Sequence, residues 1–182
     1  MNKTLKLHLG CGHVHLPGFL NIDINPKLHI DLCADISNLP FDSSSVDLIY
    51  ASSVLEHFGR HTWLVVLSHW SSLLKPGGIM RLSVPDFLQA TLRYQSNKDL
   101  SELIGLVMGG QNDKNDHHGM IFDFQTLEKG LNTVGISNVE RYKWQESDVG
   151  ILDIDDFSQA YLPHMDKDNG RLMVLNVEGI KI

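Results

Sequence analysis

Two glycines near the start of the sequence flank a cysteine, as Gly10-Cys11-Gly12. A glycine-rich turn after a strand lets backbone N–H groups approach an anionic ligand, because no Cβ atom stands in the way. The same pair is common in plain tight turns, so this motif alone leaves a ligand site and a structural turn equally open.

Two aspartates follow the glycine turn, each at the end of a short apolar segment. Asp23 ends the second such segment and Asp35 the third. A carboxylate at the end of a second strand can accept hydrogen bonds from both ribose hydroxyls of a nucleoside. Each aspartate alone is typical of a solvated turn. Together with the glycines they fall at the carboxyl edge of a parallel sheet, where open α/β folds bind ligands.

Three histidines are candidates for a general base, because imidazole titrates near neutral pH. His57 follows the fourth predicted strand, and His117-His118 precede the last predicted helix. For His57 a structural role stays open, and for the pair a solvated polar loop stays open. No recognised spacing of metal ligands accompanies them, so we expect no metal.

Apolar periodicity predicts the elements that would position these residues. The predicted strands are residues 5–9, 19–24, 30–34, 46–51, 79–84, 139–144 and 172–177, and the predicted helices are 63–74, 99–108 and 124–134. A strand, a helix and another strand form a right-handed parallel crossover, which implies a sheet covered on both faces. The acidic segment 145–168 is expected to be an excursion near the rim of the site.

Composition limits the function further. The 182 residues fit one domain, 1–182, and carry a formal net charge of -7 at pH 7. That charge disfavours a nucleic-acid partner, which would require clustered basic residues. No apolar run is long enough for membrane insertion. Two cysteines are too few for a disulfide framework, so we expect a reduced, cytoplasmic setting.

Five segments resemble, in the expected order, the motifs of class I S-adenosylmethionine-dependent methyltransferases. They are Leu-His-Leu-Gly-Cys-Gly, Asn-Ile-Asp, Ala-Asp-Ile-Ser-Asn-Leu-Pro-Phe, Val-Asp-Leu-Ile-Tyr-Ala-Ser-Ser-Val-Leu-Glu-His and Leu-Leu-Lys-Pro-Gly-Gly. The resemblance implies an α/β, Rossmann-like fold with a seven-stranded, mostly parallel sheet and helices on both faces. It also implies S-adenosylmethionine as the cofactor.

The resemblance assigns cofactor contacts residue by residue. It implies that the backbone of Gly10, Cys11 and Gly12 lies near the methionine end of the cofactor. Asp23 would bind the ribose, and Asp35 with the backbone of Ile36 would lie at the adenine. Ser52, just after the fourth strand, stands where this family often touches cofactor or substrate.

Two features depart from the family pattern. His8 stands two places before the first glycine, where the family often has an acidic residue. Only about ten residues separate Gly12 from Asp23, against roughly 20 from glycine turn to acid in dinucleotide folds. The first crossover helix should therefore be abbreviated to a turn around Pro17-Gly18, which would leave the methionine end of the cofactor less enclosed.

The implied reaction is methyl transfer to a small-molecule or glycan acceptor, at oxygen or nitrogen. The opening also resembles a branch of small methyltransferases, of the methyltransferase-type-11 kind, often linked with polysaccharide synthesis. A catalytically silent cofactor-binding partner subunit stays open, as does a homodimer. A nicotinamide-dependent oxidoreductase is disfavoured, because His15 occupies the position of the third glycine that a dinucleotide motif requires.

Overall fold

The computed structural model describes residues 4–182, so the first three residues of the predicted 1–182 domain lie outside it. The strands in the described part are β1 (Lys6–Leu9), β2 (Leu20–Asp23), β3 (Leu32–Cys33), β4 (Val46–Ser52), β5 (Leu74–Pro85), β6 (Ile136–Arg141), β7 (Tyr161–Leu162), β8 (Arg171–Leu172) and β9 (Val174–Lys181). Seven form one sheet in the order β3-β2-β1-β4-β5-β9-β6, and β7 pairs with β8. Only β9 runs antiparallel to its neighbours in the large sheet. The predicted seven-stranded, mostly parallel sheet is confirmed.

Helices flank and follow the sheet. Those in the described part are α1 (Trp63–Leu73), α2 (Phe87–Asn97), α3 (Ile104–Met108), α4 (Phe124–Thr133) and α5 (Asp148–Ile151). Helices α1 and α4 correspond to the predictions at 63–74 and 124–134. Asp123 caps α4, because its carboxylate accepts a hydrogen bond from the Thr126 N–H at 2.8 Å. Between residues 4 and 182, no helix is long and apolar enough to cross a membrane.

The helix predicted at residues 99–108 is wrong in its first half, and α2 was not located by the sequence. Asp99 does not cap a helix, because its carboxylate accepts hydrogen bonds from the N–H and hydroxyl of Ser101, at 2.9 and 2.6 Å, in a local turn. Glu102 pairs with Arg93 of α2 at 2.7 Å. The side chains that would form the capping box therefore have other partners, and helix α3 begins only at Ile104.

The two late strands are shifted from their predicted ranges, 139–144 and 172–177. Strand β6 ends at Arg141, and residues 144–146 form a 3₁₀ turn. Strand β9 continues past Val177 to Lys181 by backbone pairing with β5 and β6, and within it Glu178 pairs with Arg81 of β5 at 2.8 Å. Strand β5 likewise starts at Leu74 and not at residue 79. A charged residue with a cross-strand ion pair thus lies inside a strand that the sequence predicted to end.

The abbreviated first crossover is confirmed, since residues 10–19 form turns without a helix. Asn21 organises this segment: its side-chain oxygen accepts from the Leu16 N–H at 2.8 Å, and its amide donates to the Phe19 carbonyl at 3.2 Å. Leu16 and Phe19 pack with Tyr50 of β4 and Val149 of α5 on one face of the sheet. The other face carries the main core with α1 and α4. Short turns and a one-turn helix thus replace a full helix beside β1.

Candidate functional site

The turn after β1 is held in a conformation that requires glycine. Gly10 and Gly12 have φ angles of +60° and +56°, in a backbone region that residues other than glycine rarely adopt. A Cβ atom on Gly10 would also lie 2.6 Å from Cγ2 of Val54. The backbone therefore approaches the segment after β4 more closely than a residue with a side chain could.

Asp23 ties this turn to the end of β2. One carboxylate oxygen accepts a hydrogen bond from the Gly12 N–H and the other from the Asn25 N–H, both at 2.8 Å. The Cys11 N–H donates to the Ile22 carbonyl at 3.0 Å. Asp23 is only 8% exposed. Its carboxylate is thus fixed by two backbone groups, and each oxygen retains a lone pair for a further donor.

A cavity of about 470 Å³ opens beside Asp23, and we call it the β2 cavity. Its lining includes Asp23, Ile24, Asp35, Ile36, Val54, His57, Phe58 and His117. The Ser37 N–H donates to Asp35 at 2.8 Å, and hydrogen bonding from Ser37 holds the pKa of Asp35 below its usual value. The Ile36 carbonyl accepts from the Trp70 indole N–H at 2.8 Å. The cavity therefore combines two carboxylates with apolar walls.

A second cavity, of about 240 Å³, lies over the glycine turn, and we call it the glycine cavity. Its lining includes His8, Gly10, Cys11, Gly12, Ser52, Asp116, Asp156 and Phe157. Asp156 and Phe157 come from the acidic excursion, which therefore reaches this cavity. The more open methionine end of the cofactor, expected from the short crossover, stays a prediction. Asp156 and Phe157 line the cavity where a first helix is lacking.

Asp156 stands beside the position where the family pattern has an acid and this sequence has His8. The Tyr50 hydroxyl donates to one oxygen of Asp156, and the Ser158 N–H donates to the other at 2.9 Å. His8 is buried, and burial lowers its pKa. Its ring stacks on Tyr50 with centroids 5.3 Å apart. The neutral imidazole of His8 thus stands where the family pattern has an acid. The carboxylate beside it comes from Asp156, far along the chain, which sequence reasoning did not find.

A third cavity, of about 470 Å³, lies beyond the other two, and we call it the outer cavity. It is lined by residues of the second half of the chain, among them Glu102, Leu106, Asp116, His118, Tyr161, Leu162, His164, Met165 and Met173. Ser53 and His57 border all three cavities. The cavities therefore meet at the end of β4.

A cluster of Glu56, His57 and His118 lies at this junction. Glu56 is 1% exposed, and neither carboxylate oxygen has a hydrogen-bond partner among residues 4–182. Burial raises its pKa to about 8, although the nearby Ser53 side chain and the backbone at residues 54 and 56 act in the opposite direction. The rings of His57 and His118 lie perpendicular, with centroids 4.8 Å apart. Sequence reasoning did not single out Glu56; the signal for it is a charged residue directly after the apolar pair Val54-Leu55.

Residues 7–82 match the family described as a methyltransferase domain, and they contain β2 to β4, most of β1 and β5, and the glycine turn. Residues 7–82 thus carry a methyltransferase domain. No curated protein matches the chain in sequence.

Solved methyltransferases share the fold. A methyltransferase from Thermotoga maritima has a TM-score of 0.60 at 14% identity, covering 100% of this chain and 84% of its own. One from Archaeoglobus fulgidus has a TM-score of 0.60 at 12% identity, covering 99% and 87%. The 1,6-didemethyltoxoflavin-N1-methyltransferase of Burkholderia thailandensis, solved with that substrate and S-adenosylhomocysteine bound, has a TM-score of 0.57 at 11% identity, covering 97% and 70%. These likenesses establish the methyltransferase fold.

The methyltransferase domain groups the predicted site residues in two of the cavities. The glycine cavity holds Gly10, Cys11, Gly12 and Ser52, and the β2 cavity holds Asp23, Asp35 and Ile36. Burial raises the pKa of the Cys11 thiol to about 11, so this cysteine packs as a neutral thiol. The three candidate bases separate. His57 and His118 come together, whereas His117 lines the β2 cavity.

Proposed function

We propose that this methyltransferase transfers the methyl group of S-adenosylmethionine to an oxygen or nitrogen of a small-molecule or glycan acceptor bound in the outer cavity. The observation that carries the proposal is that all three cavities meet at Ser53 and His57. Methyl transfer from a sulfonium is a direct displacement, so its rate depends on aligning donor and acceptor. Adjoining sites for the two reactants supply that alignment.

The cofactor is proposed to lie across the β2 and glycine cavities. Asp23 would accept hydrogen bonds from both ribose hydroxyls, because each of its oxygens retains a lone pair. Asp35 and the backbone of Ile36 would bind the adenine end. The left-handed backbone of Gly10 and Gly12 would face the methionine end, next to Ser52, whose hydroxyl is buried without a partner among residues 4–182.

An acceptor hydroxyl or ammonium must lose a proton when it is methylated. His57 borders every cavity, and His118 lines the outer one. We therefore assign proton removal to the side of the site that carries His57 and His118. His117, which lines the β2 cavity, is less well placed, and we assign it to the neighbourhood of the cofactor.

Calorimetric titration of the purified chain with S-adenosylmethionine, S-adenosylhomocysteine and NAD tests the cofactor directly. Both sulfur nucleosides should bind with one-to-one stoichiometry, and NAD should give no heat of binding. Binding of NAD without either sulfur nucleoside would refute the methyltransferase proposal. A mass-shift screen of cell extracts with isotope-labelled S-adenosylmethionine would then identify the acceptor.

Asp156 is proposed to bind the amino group of the cofactor, because its carboxylate lines the glycine cavity and acts electrostatically on His8. A hydrogen bond to a charged group is worth about 1.5–3 kcal/mol. Asp156→Asn should therefore weaken S-adenosylhomocysteine binding by roughly tenfold or more by calorimetry. Affinity for 5′-methylthioadenosine, which lacks the amino-acid part, should stay unchanged.

Asp155→Asn is the matched control for Asp156, since Asp155 is exposed and pairs with Lys167 at 2.9 Å. Its affinity for both nucleosides should equal that of the unmodified chain. If Asp156→Asn weakened the binding of both nucleosides to the same extent, its effect would not come from a contact with the amino group of the cofactor.

A further inference from the structure

We propose that Glu56, His57 and His118 form a binding site for a divalent transition-metal ion of the Zn²⁺ type at the junction of the three cavities. One ligand atom from each residue lies within 4.8 Å of the other two. Two imidazoles and one carboxylate are a donor set that zinc and related divalent metals prefer. The metal site stands independently of methyl transfer, whereas its use in catalysis rests on the proposed function.

The first observation is the state of Glu56. Its carboxylate is buried, and neither oxygen makes a hydrogen bond of normal length and angle with the described residues. Buried carboxylates in proteins are normally hydrogen-bonded, ion-paired or bound to a metal. The Glu56 backbone carbonyl, by contrast, accepts hydrogen bonds from the N–H groups of Gly119 and Met120, at 2.8 and 3.1 Å. A bound cation would supply the missing partner of the side chain.

The second observation is the orientation of the two imidazoles. His118 Nδ1 lies 3.1 Å from the Leu106 carbonyl oxygen. A carbonyl oxygen only accepts hydrogen bonds, so Nδ1 must carry the proton and Nε2 keeps its lone pair. This is the arrangement that orients metal-bound histidines in proteins. His57 Nδ1 is buried and has no hydrogen-bond partner among residues 4–182, so it is available as the second nitrogen ligand.

The third observation is that the backbone already holds the two ligand-bearing segments together. The hydrogen bonds from Gly119 and Met120 to the Glu56 carbonyl join residues 55–57 to residues 118–120. Ligands bonded to zinc at about 2.1 Å in a tetrahedron lie about 3.4 Å apart. The observed spread of up to 4.8 Å therefore closes by side-chain movements of about 1 Å, without rearrangement of the fold.

The cluster leaves room for a fourth ligand, because His57 and His118 both line the outer cavity. A metal ion with three protein ligands and an open position is typical of catalytic sites. There it would bind an acceptor hydroxyl and lower its pKa. With the metal bound, His57 and His118 would act as ligands and not as bases, so the hydroxyl proton would pass to solvent. The oxygen would take the methyl group as the bond from sulfur to that methyl breaks.

The sequence predicted no metal, because no recognised ligand spacing accompanies the histidines. Glu56 and His57 are brought next to His118 only by the hydrogen bonds between residues 56 and 119–120. The proposed site thus replaces that expectation.

Co²⁺ titration of the metal-stripped full chain tests the proposal, because Co²⁺ bound to nitrogen and oxygen ligands absorbs visible light. We expect one Co²⁺ ion per chain, displaced by Zn²⁺. Glu56→Gln and His118→Ala should each weaken Co²⁺ binding by at least about tenfold. His117→Ala is the matched control, since His117 adjoins His118 but lies outside the cluster, and it should bind Co²⁺ as the unmodified chain does.

Absence of a saturable Co²⁺ band in the unmodified chain would overturn the proposal, whatever the stability of the variants. Co²⁺ affinity equal to that of the unmodified chain in both Glu56→Gln and His118→Ala would overturn it as well. Calorimetry with S-adenosylhomocysteine on the same sample separates the two proposals. A chain that binds Co²⁺ but no sulfur nucleoside would support the metal site and refute the methyltransferase proposal. A chain that binds the sulfur nucleosides but no Co²⁺ would refute the metal site and support the methyltransferase proposal.

Discussion

An Asp23→Ala variant should bind S-adenosylhomocysteine about 100-fold more weakly, or worse, in calorimetric titrations. Each hydrogen bond to a charged group is worth about 1.5–3 kcal/mol, and Asp23 is proposed to accept two from the ribose. The substitution also leaves the Gly12 N–H without the carboxylate that accepts its hydrogen bond at 2.8 Å, so the glycine turn would lose its attachment to β2. Both effects weaken binding.

Two further substitutions separate these effects. Asp23→Asn keeps an oxygen for the Gly12 N–H but removes the charge, so its affinity should fall between that of Asp23→Ala and the unmodified chain. Asp31→Asn is the control, because Asp31 accepts the Asn21 N–H at 2.7 Å and does not line the β2 cavity or the glycine cavity. Its affinity should change by less than about twofold. Unchanged affinity in a folded Asp23→Ala variant would remove Asp23 from the ribose site.

A methylthioadenosine titration distinguishes the two carboxylates. Asp23→Ala should weaken 5′-methylthioadenosine as much as S-adenosylhomocysteine, because both contain the ribose. Asp156→Asn should weaken the binding of S-adenosylhomocysteine only. This contrast divides the proposed cofactor site into a ribose part in the β2 cavity and an amino-acid part in the glycine cavity.

The half of the site around β1 and β2 could be predicted from the sequence, because it depends on local rules. Gly10, Asp23 and Asp35 each lie at or just after the end of a strand, and parallel strands bring their carboxyl ends to one edge of a sheet. Strand type and order therefore suffice to group these residues. The short crossover was equally accessible, since ten residues cannot hold a full helix and two turns.

The other half could not be predicted, because it depends on contacts between distant segments. Asp156 reaches the glycine cavity through its hydrogen bond with Tyr50, 106 positions earlier. Glu56 meets His118 only because the backbone at residues 119 and 120 bonds to it. Neither contact leaves a periodic or spaced signal in the sequence. A compositional pattern such as the acidic excursion indicated where such a segment would lie, but not which of its carboxylates would enter the site.

Local signals also failed where a tertiary partner competed for the same side chain. Asp99 and Glu102 have the spacing of a capping box, yet Glu102 pairs with Arg93 of α2. Glu178 of β9 likewise pairs with Arg81 of β5. In each case a charged side chain has its partner on a neighbouring element, and no signal within the element itself could show it.

Gly10→Ala should lower the free energy of unfolding by about 2–5 kcal/mol and weaken S-adenosylhomocysteine binding in parallel. A left-handed φ of +60° costs a residue with a side chain about 1–2 kcal/mol. The new Cβ would also lie 2.6 Å from Val54 Cγ2, and such overpacking costs about 1–3 kcal/mol. Urea unfolding of the purified variant measures the sum.

Two variants separate the backbone cost from the overlap with Val54. Gly18→Ala has only the backbone cost, because Gly18 has a φ of +83° and a Cβ atom there would meet nothing within 4 Å beyond its chain neighbours. Its free energy of unfolding should therefore fall by about 1–2 kcal/mol. Adding Val54→Ala to Gly10→Ala removes the overlap and should restore part of the stability that Gly10→Ala loses, measured against Val54→Ala alone. Equal losses in Gly10→Ala and Gly18→Ala would mean that the approach of Val54 does not select glycine in the turn. If Val54→Ala restores stability to Gly10→Ala, the close approach of Val54 is what requires glycine at position 10. Val54 belongs to the segment after β4 that carries Ser53 and His57 into the site, so this segment packs directly against the glycine turn.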